Sequence, residues 1–159
     1  MASEKSAGNG SGDSLATGPG FELRMIFLKD VSFESPNAPD VLFGHEQPEL
    51  KLGIESGYRQ RENDLFEVSL DITVHAKAGE KSLFILEMKH GGLFAVRGHS
   101  PEETTALLRT RAPEALYPYA RELIASLVSR GGFPPLLLQP IDFRAHYASA
   151  QQHPASAPH

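Results

Sequence analysis

Leu65-Phe66-Glu67-Val68-Ser69-Leu70-Asp71-Ile72-Thr73-Val74-His75 alternates apolar and polar residues with a period of two. That is the period at which successive side chains of an extended chain point to opposite faces. Phe66, Val68, Leu70, Ile72 and Val74 therefore share one face expected to be buried, while Glu67, Ser69, Asp71, Thr73 and His75 face water. Downstream, Ala78-Gly79-Glu80-Lys81 reads as a short turn. Ser82 to Lys89 resumes extended structure, with Phe84, Leu86 and Met88 on one face and Leu83, Ile85 and Glu87 on the other. Upstream, Glu49 to Gln60 alternates Leu50, Leu52 and Ile54 with Lys51, Gly53 and Glu55, so three consecutive strands form an antiparallel meander.

A further strand is expected from Phe21 to Glu34, rich in β-branched, aromatic and aliphatic residues and ended by Ser35-Pro36-Asn37-Ala38-Pro39, a run of turn formers. The loop that follows holds Val41, Leu42 and Phe43 between prolines 36, 39 and 48, too punctuated for regular structure. After Gly91-Gly92 and the apolar Leu93 to Val96 the period changes. Ser100-Pro101-Glu102-Glu103 is a capping box that opens a short helix. From Pro113 a longer helix carries Leu116, Ala120, Leu123, Ile124, Leu127 and Val128 at three- and four-residue steps and stops at Gly131-Gly132. Phe133 to Pro140 is apolar but proline-broken and must run along a surface. Ile141 to about Ala150 forms a last helix. The fold class is therefore α+β, a four-stranded antiparallel sheet with helices packed on one face.

The chain has 159 residues, 40% of them hydrophobic, enough for one core. We expect a folded domain over residues 21–148, a disordered Gly/Ser-rich tail over 1–20 and a flexible tail over 149–159. A net charge of -5 argues against nucleic acid as a partner and suits a basic protein better. The chain has no cysteine, and neither a signal peptide nor an apolar stretch of membrane-spanning length is visible, so a reducing cytoplasm is the expected setting. Phosphate-loop, zinc-protease and nucleophile-elbow motifs are missing, and the seven histidines lie apart without ligand spacing. No enzymatic activity, no metal and no cofactor are expected. Asp30 and Glu34, four apart on one strand, share a face, and Glu67, Asp71 and Glu87 lie on the polar faces of later strands. Beside apolar Leu83 and Ile85, these carboxylates suit a basic, partly hydrophobic partner. Val41 to Phe43 and Phe133 to Pro140 offer apolar contact on backbone that is awkward to bury, as a groove for unfolded polypeptide would.

Lys29-Asp30-Val31-Ser32-Phe33-Glu34-Ser35-Pro36-Asn37-Ala38-Pro39, Gln47-Pro48-Glu49, Gly91-Gly92, Leu116-Tyr117-Pro118-Tyr119-Ala120-Arg121-Glu122 and Val128-Ser129-Arg130-Gly131-Gly132-Phe133-Pro134-Pro135 together resemble the SecB export-chaperone family. The resemblance spans roughly Phe21 to Tyr147. It implies an ATP-independent holdase that keeps secretory precursors unfolded and delivers them to SecA for export across the inner membrane. It also implies a homotetramer, a dimer of dimers whose helices lie between two eight-stranded sheets. Carried over residue by residue, it places SecA, through its basic C-terminal zinc-binding tail, on Asp30, Glu34, Ile85 and Glu87. The client groove falls on Leu42, Phe43, Leu50, Phe133, Leu136 and Leu138. Two departures from the family pattern, Glu46 in the groove loop and Tyr117 before Pro118, are expected to alter client preference in detail. Two rival readings are a SecB-like chaperone dedicated to one partner, such as the antitoxin of a toxin-antitoxin module, and a small hydrolase. Asp30, Glu34 and Glu87 argue against the first, and the lack of a paired nucleophile and base argues against the second.

Overall fold

The alternating stretch is a strand in the middle of the sheet. In the computed structural model, which describes residues 18–152, four strands pair antiparallel: β1 (Gly20–Glu34), β2 (Glu49–Glu62), β3 (Leu65–Ala78) and β4 (Lys81–Arg97). Their order is β1-β4-β3-β2, so the meander is present and β1 returns to the far side of β4. Val68, Leu70, Ile72, Val74, Leu86 and Phe94 are buried on one face. Against that face lie α1 (Pro101–Arg109) and α2 (Arg111–Arg130), and α3 (Phe143–Gln152) packs against both of these helices. Leu108, Leu116, Ala120, Ile124 and Val128 complete the core from the helix side. The α+β arrangement is as expected. Residues 1–17 and 153–159, which hold most of both expected tails, lie outside the described residues; α3 continues to Gln152, into the stretch read as the C-terminal tail.

The helix boundaries follow from their caps. Ser100 Oγ accepts from the Glu103 backbone N–H at 3.2 Å, and Glu103 Oε2 accepts from the Ser100 N–H at 3.0 Å. This reciprocal pair satisfies two donors that a helix start otherwise leaves open. At the C-terminal end of α2, Gly132 takes φ +90°, the left-handed turn that glycine adopts without steric cost, and Phe133 N–H returns to the Val128 carbonyl.

Two readings need correction. The fourth strand, expected over Ser82 to Lys89, runs on through Gly91-Gly92 to Arg97. A methyl group on Gly92 would lie 2.7 Å from Leu116 Cδ2, and one on Gly91 would lie 2.5 Å from the Phe27 ring. The glycines let α2 approach the sheet on one side and Phe27 lie flat on the other. Asp40–Phe43 is also not irregular but a short 3-10 turn, because Leu42 N–H closes on the Pro39 carbonyl despite the surrounding prolines.

His90 is 6% exposed on the helix-facing side of β4, paired with Leu28 and Leu70, and its Nδ1 has no hydrogen-bond partner. Burial holds its pKa below the ordinary 6.5, because the charged ring would lose its hydration. The unfolded chain therefore takes up this proton first. The stability this group contributes is fully present above about pH 6.5 and is lost as pH falls through the folded-state value. Urea titrations between pH 7.5 and 5 should show that decline, and it should flatten in His90→Leu. An equal slope in the two proteins would assign the effect to other groups.

Candidate functional site

On the sheet face turned away from the helices, cross-strand pairing sets residues in rows. Asp30, Lys89, Asp71 and Glu55 form one row; Ser32, Glu87, Thr73 and Gly53 form the next; Glu34, Ile85, His75 and Lys51 form the third. Asp30, Glu34, Ile85 and Glu87, from two strands far apart in sequence, are thus brought into one patch three rows deep. Asp71 and Glu55 extend it across the sheet. Glu55 was not singled out from the sequence, where nothing indicates that it sits directly opposite Asp71. Lys89 Nζ stands 3.7 Å from Asp71 Oδ2 in the midst of five carboxylates. Like charges facing across a ladder destabilise the fold, and together they give this face a negative potential that attracts a basic segment.

Glu67 does not belong to that patch. It is 8% exposed and accepts from Lys29 Nζ at 2.6 Å, from Arg59 Nε at 3.0 Å and from Arg59 Nη2 at 2.8 Å, with Arg61 at 3.8 Å. The bonds from Lys29 and then Arg59 hold its carboxyl below the usual carboxylate range. The sequence placed Glu67 on a solvated face, but its cations arrive from β1 and β2, which no local pattern reveals. Leu83 also departs from expectation. Ala76 pairs with Phe84 and Lys77 with Ser82, which leaves Leu83 as the unpaired residue of a bulge, and it lines a cleft rather than the acidic face.

That cleft, about 670 Å3, lies between the β1–β2 loop, the β3–β4 turn and the segment after α2. Leu42 and Phe133 line it. Phe133 packs on Phe84 with ring centroids 5.1 Å apart. The approach to the loop is pinned by Ser35 Oγ donating to the Leu83 carbonyl and Asn37 Nδ2 donating to the Ser82 carbonyl. Glu46 is also in the lining, so that departure from the family pattern sits where it can act. Phe43, 76% exposed, projects beside the cleft. Leu50 is exposed on the edge strand β2. Leu136 is half-buried against the core, and Leu138 is buried and lines a separate groove against α2, with Pro118, Glu122 and Leu137. The six groove candidates are therefore not one surface. Tyr117 is buried, its hydroxyl donates to the Gln139 carbonyl and its ring meets Phe143 edge-on at 5.8 Å. It ties the Phe133–Pro140 segment to α2 and does not line the cleft.

A second apolar cavity, about 860 Å3, opens between β2, α1 and α3. Leu52, Ile54, Ile141, Phe143 and Tyr147 supply its walls, and Arg109 closes one side, lying 5.1 Å over the Tyr58 ring. The alternation of Leu50, Leu52 and Ile54 was visible in the sequence. That β2 is an edge strand, leaving these side chains incompletely covered, was not. Among the described residues there is no group of three or more His, Asp or Glu side chains arranged to hold a metal, and no helix is long and apolar enough to cross a membrane.

The family described as "Preprotein translocase subunit SecB" matches residues 15–154. The protein-export protein SecB of Stenotrophomonas maltophilia is 42% identical over 148 residues, 93% of this chain and 86% of that one. That of Xanthomonas oryzae pv. oryzae is 43% identical over 147 residues, 91% and 86% of the two chains, and that of Chromobacterium violaceum 41% identical over 139 residues, 87% and 93%. Among solved structures, a SecB-like chaperone of Mycobacterium tuberculosis in complex with a peptide from the HigA1 antitoxin superposes with a TM-score of 0.65 over 77% of this chain and 91% of its own. At 23% identity that likeness is one of fold.

Proposed function

This chain belongs to the SecB family of preprotein translocase subunits, and from that membership we propose that it serves protein export as a holdase in the cytoplasm. It keeps precursor polypeptides unfolded by apolar contact and passes them to SecA without nucleotide. The observation that carries this reading is the pairing of two unlike surfaces on one sheet, an acidic patch on the open face and apolar clefts on the helix side. Apolar burial stabilises a bound segment by ~25 cal/mol per Å2 without demanding a particular sequence, which suits unrelated clients. The exposed backbone of the edge strand β2 supplies hydrogen-bonding groups to an extended segment as well.

SecA engages through its basic C-terminal zinc-binding tail at Asp30, Glu34, Ile85 and Glu87, with charge steering the encounter. Two protomers join their sheets into eight strands, and two such dimers enclose the helices as a tetramer. Identities of 41–43% to export proteins against 23% to the SecB-like chaperone with an antitoxin peptide favour export over service to a single partner.

A urea-unfolded precursor diluted into buffer with the protein, and no nucleotide, should refold at least about tenfold more slowly than alone, the effect of roughly 1.4 kcal/mol of holding free energy. The delay should survive 0.5 M NaCl, because apolar contact is not screened, and shrink in a Leu42→Gln, Leu52→Gln variant. Refolding at the unassisted rate would sink the holdase reading.

A further inference from the structure

β1 changes the face it presents partway along its length. Strict alternation would put Phe27, Lys29, Val31 and Phe33 on one side. Phe27 instead lies over Gly91 on the open face, while Phe33 stacks on Phe84 in the core at 5.5 Å. One extra residue must therefore sit between them. The pairing passes from Leu28 opposite His90 to Asp30 opposite Lys89, and the residue left over is Lys29. Beyond a one-residue bulge every side chain swaps faces.

The position of that extra residue decides what Asp30 does. Phe33 faces the core, so Glu34 faces out wherever the bulge falls. Asp30 faces out only if the bulge precedes it. A bulge at Val31 instead would turn Asp30 to the helix side, the side on which Leu28 lies, 44% exposed in the single chain. What distinguishes the two is the tether on Lys29. Its Nζ reaches across β4 to Glu67 Oε1 at 2.6 Å, and Glu67 is itself fixed by Arg59 and Arg61 from β2.

We infer that the Lys29–Glu67 ion pair pins the β1 bulge ahead of Asp30, making Lys29 and Glu67 positioning residues for the acidic docking patch. The inference rests on the docking role assigned to that patch above. Charge alone predicts the opposite sign from positioning: removing the Lys29 cation beside an acidic patch should tighten a basic peptide.

The test is calorimetry of full-length Lys29→Met with the zinc-loaded C-terminal tail peptide of SecA. Binding should weaken about tenfold, as in Asp30→Ala. The double variant should bind no more weakly than either single one, because both remove the same group from the patch, and Lys29→Arg should restore affinity. Glu67→Gln, which keeps shape, should behave as Lys29→Met does if the latter folds poorly. Independently of any peptide, the cross-strand nuclear Overhauser contact between Asp30 and Lys89 should vanish in Lys29→Met and Glu67→Gln. Unchanged or tighter peptide binding by Lys29→Met, additive losses in the double variant, or a persistent Asp30–Lys89 contact would each overturn the inference. A wild-type chain that ignores the peptide would overturn the docking reading, and the Asp30–Lys89 contact would still decide the bulge.

Discussion

Replacing Asp30, Glu34 and Glu87 together by alanine is expected to weaken binding of the basic SecA tail at least about 100-fold, or roughly 2.7 kcal/mol, in a protein that still folds and still holds clients. Three carboxylates on adjacent rows of the open face would act on such a partner at close range, where each contact is worth on the order of 1 kcal/mol even with solvent nearby. The side chains stand on the face opposite the core, so no cavity forms when they are shortened. Lowering mutual repulsion in the patch should leave folding stability unchanged or slightly raised. Wild-type binding should fall steeply between 50 and 300 mM NaCl, since the screening length is about 10 Å at 0.1 M salt, and the residual binding of the variant should be nearly flat. Calorimetry at both salt concentrations decides the matter. Retention of affinity and salt dependence in the variant would place the tail elsewhere.

Gly92→Val is expected to cost about 3 kcal/mol of stability, while Gly57→Ala should be neutral or stabilising by up to about 1 kcal/mol. Both glycines lie inside strands, and side-chain-free positions in strands are ordinarily unfavourable. The difference lies in what an added methyl meets. At Gly92 it would stand 2.7 Å from Leu116 and 2.9 Å from Phe94, both fully buried, whereas at Gly57 the nearest atom is Ser69 Oγ at 3.6 Å. The helix can yield only by lifting α2 from the sheet. Denaturant midpoints of the two variants, measured at one protein concentration, check this, and similar small shifts for both would mean that the core yields locally instead.

The parts of this fold that were legible are those where one face of an element is buried and the other is wet. β3 announces itself because Val68, Leu70, Ile72 and Val74 must all avoid water, and α1 because Ser100 and Glu103 close a box within four residues. β4 was cut short because Gly91-Gly92 reads locally as a breaker, and only the approach of Leu116 and Phe27 from other elements explains it as close packing. The acidic patch was partly legible, since Asp30 and Glu34 share a face on one strand. Asp71 and Glu55 were visible only as polar-face residues of their own strands, because rows across a sheet are not written along the chain. Glu67 was misread for the same reason. The cavity beneath β2 draws on residues from Leu52 to Tyr147 and has no sequence signature as a unit.

The acidic patch and the cavity beneath β2 open on opposite sides of a single layer of strands, and this has a consequence for stoichiometry. If the proposed docking sites hold, occupants of the acidic face and of the apolar cavity do not contend for the same area, and a three-component complex of client, chaperone and motor would form without either ligand first leaving. Any influence of one on the other must pass through the strands between them as a coupling free energy, equal in both directions. Under the export role proposed above, release of the client would then depend on what SecA does to the polypeptide once it is captured, with the chaperone as a bridge held at both ends until one end is pulled away.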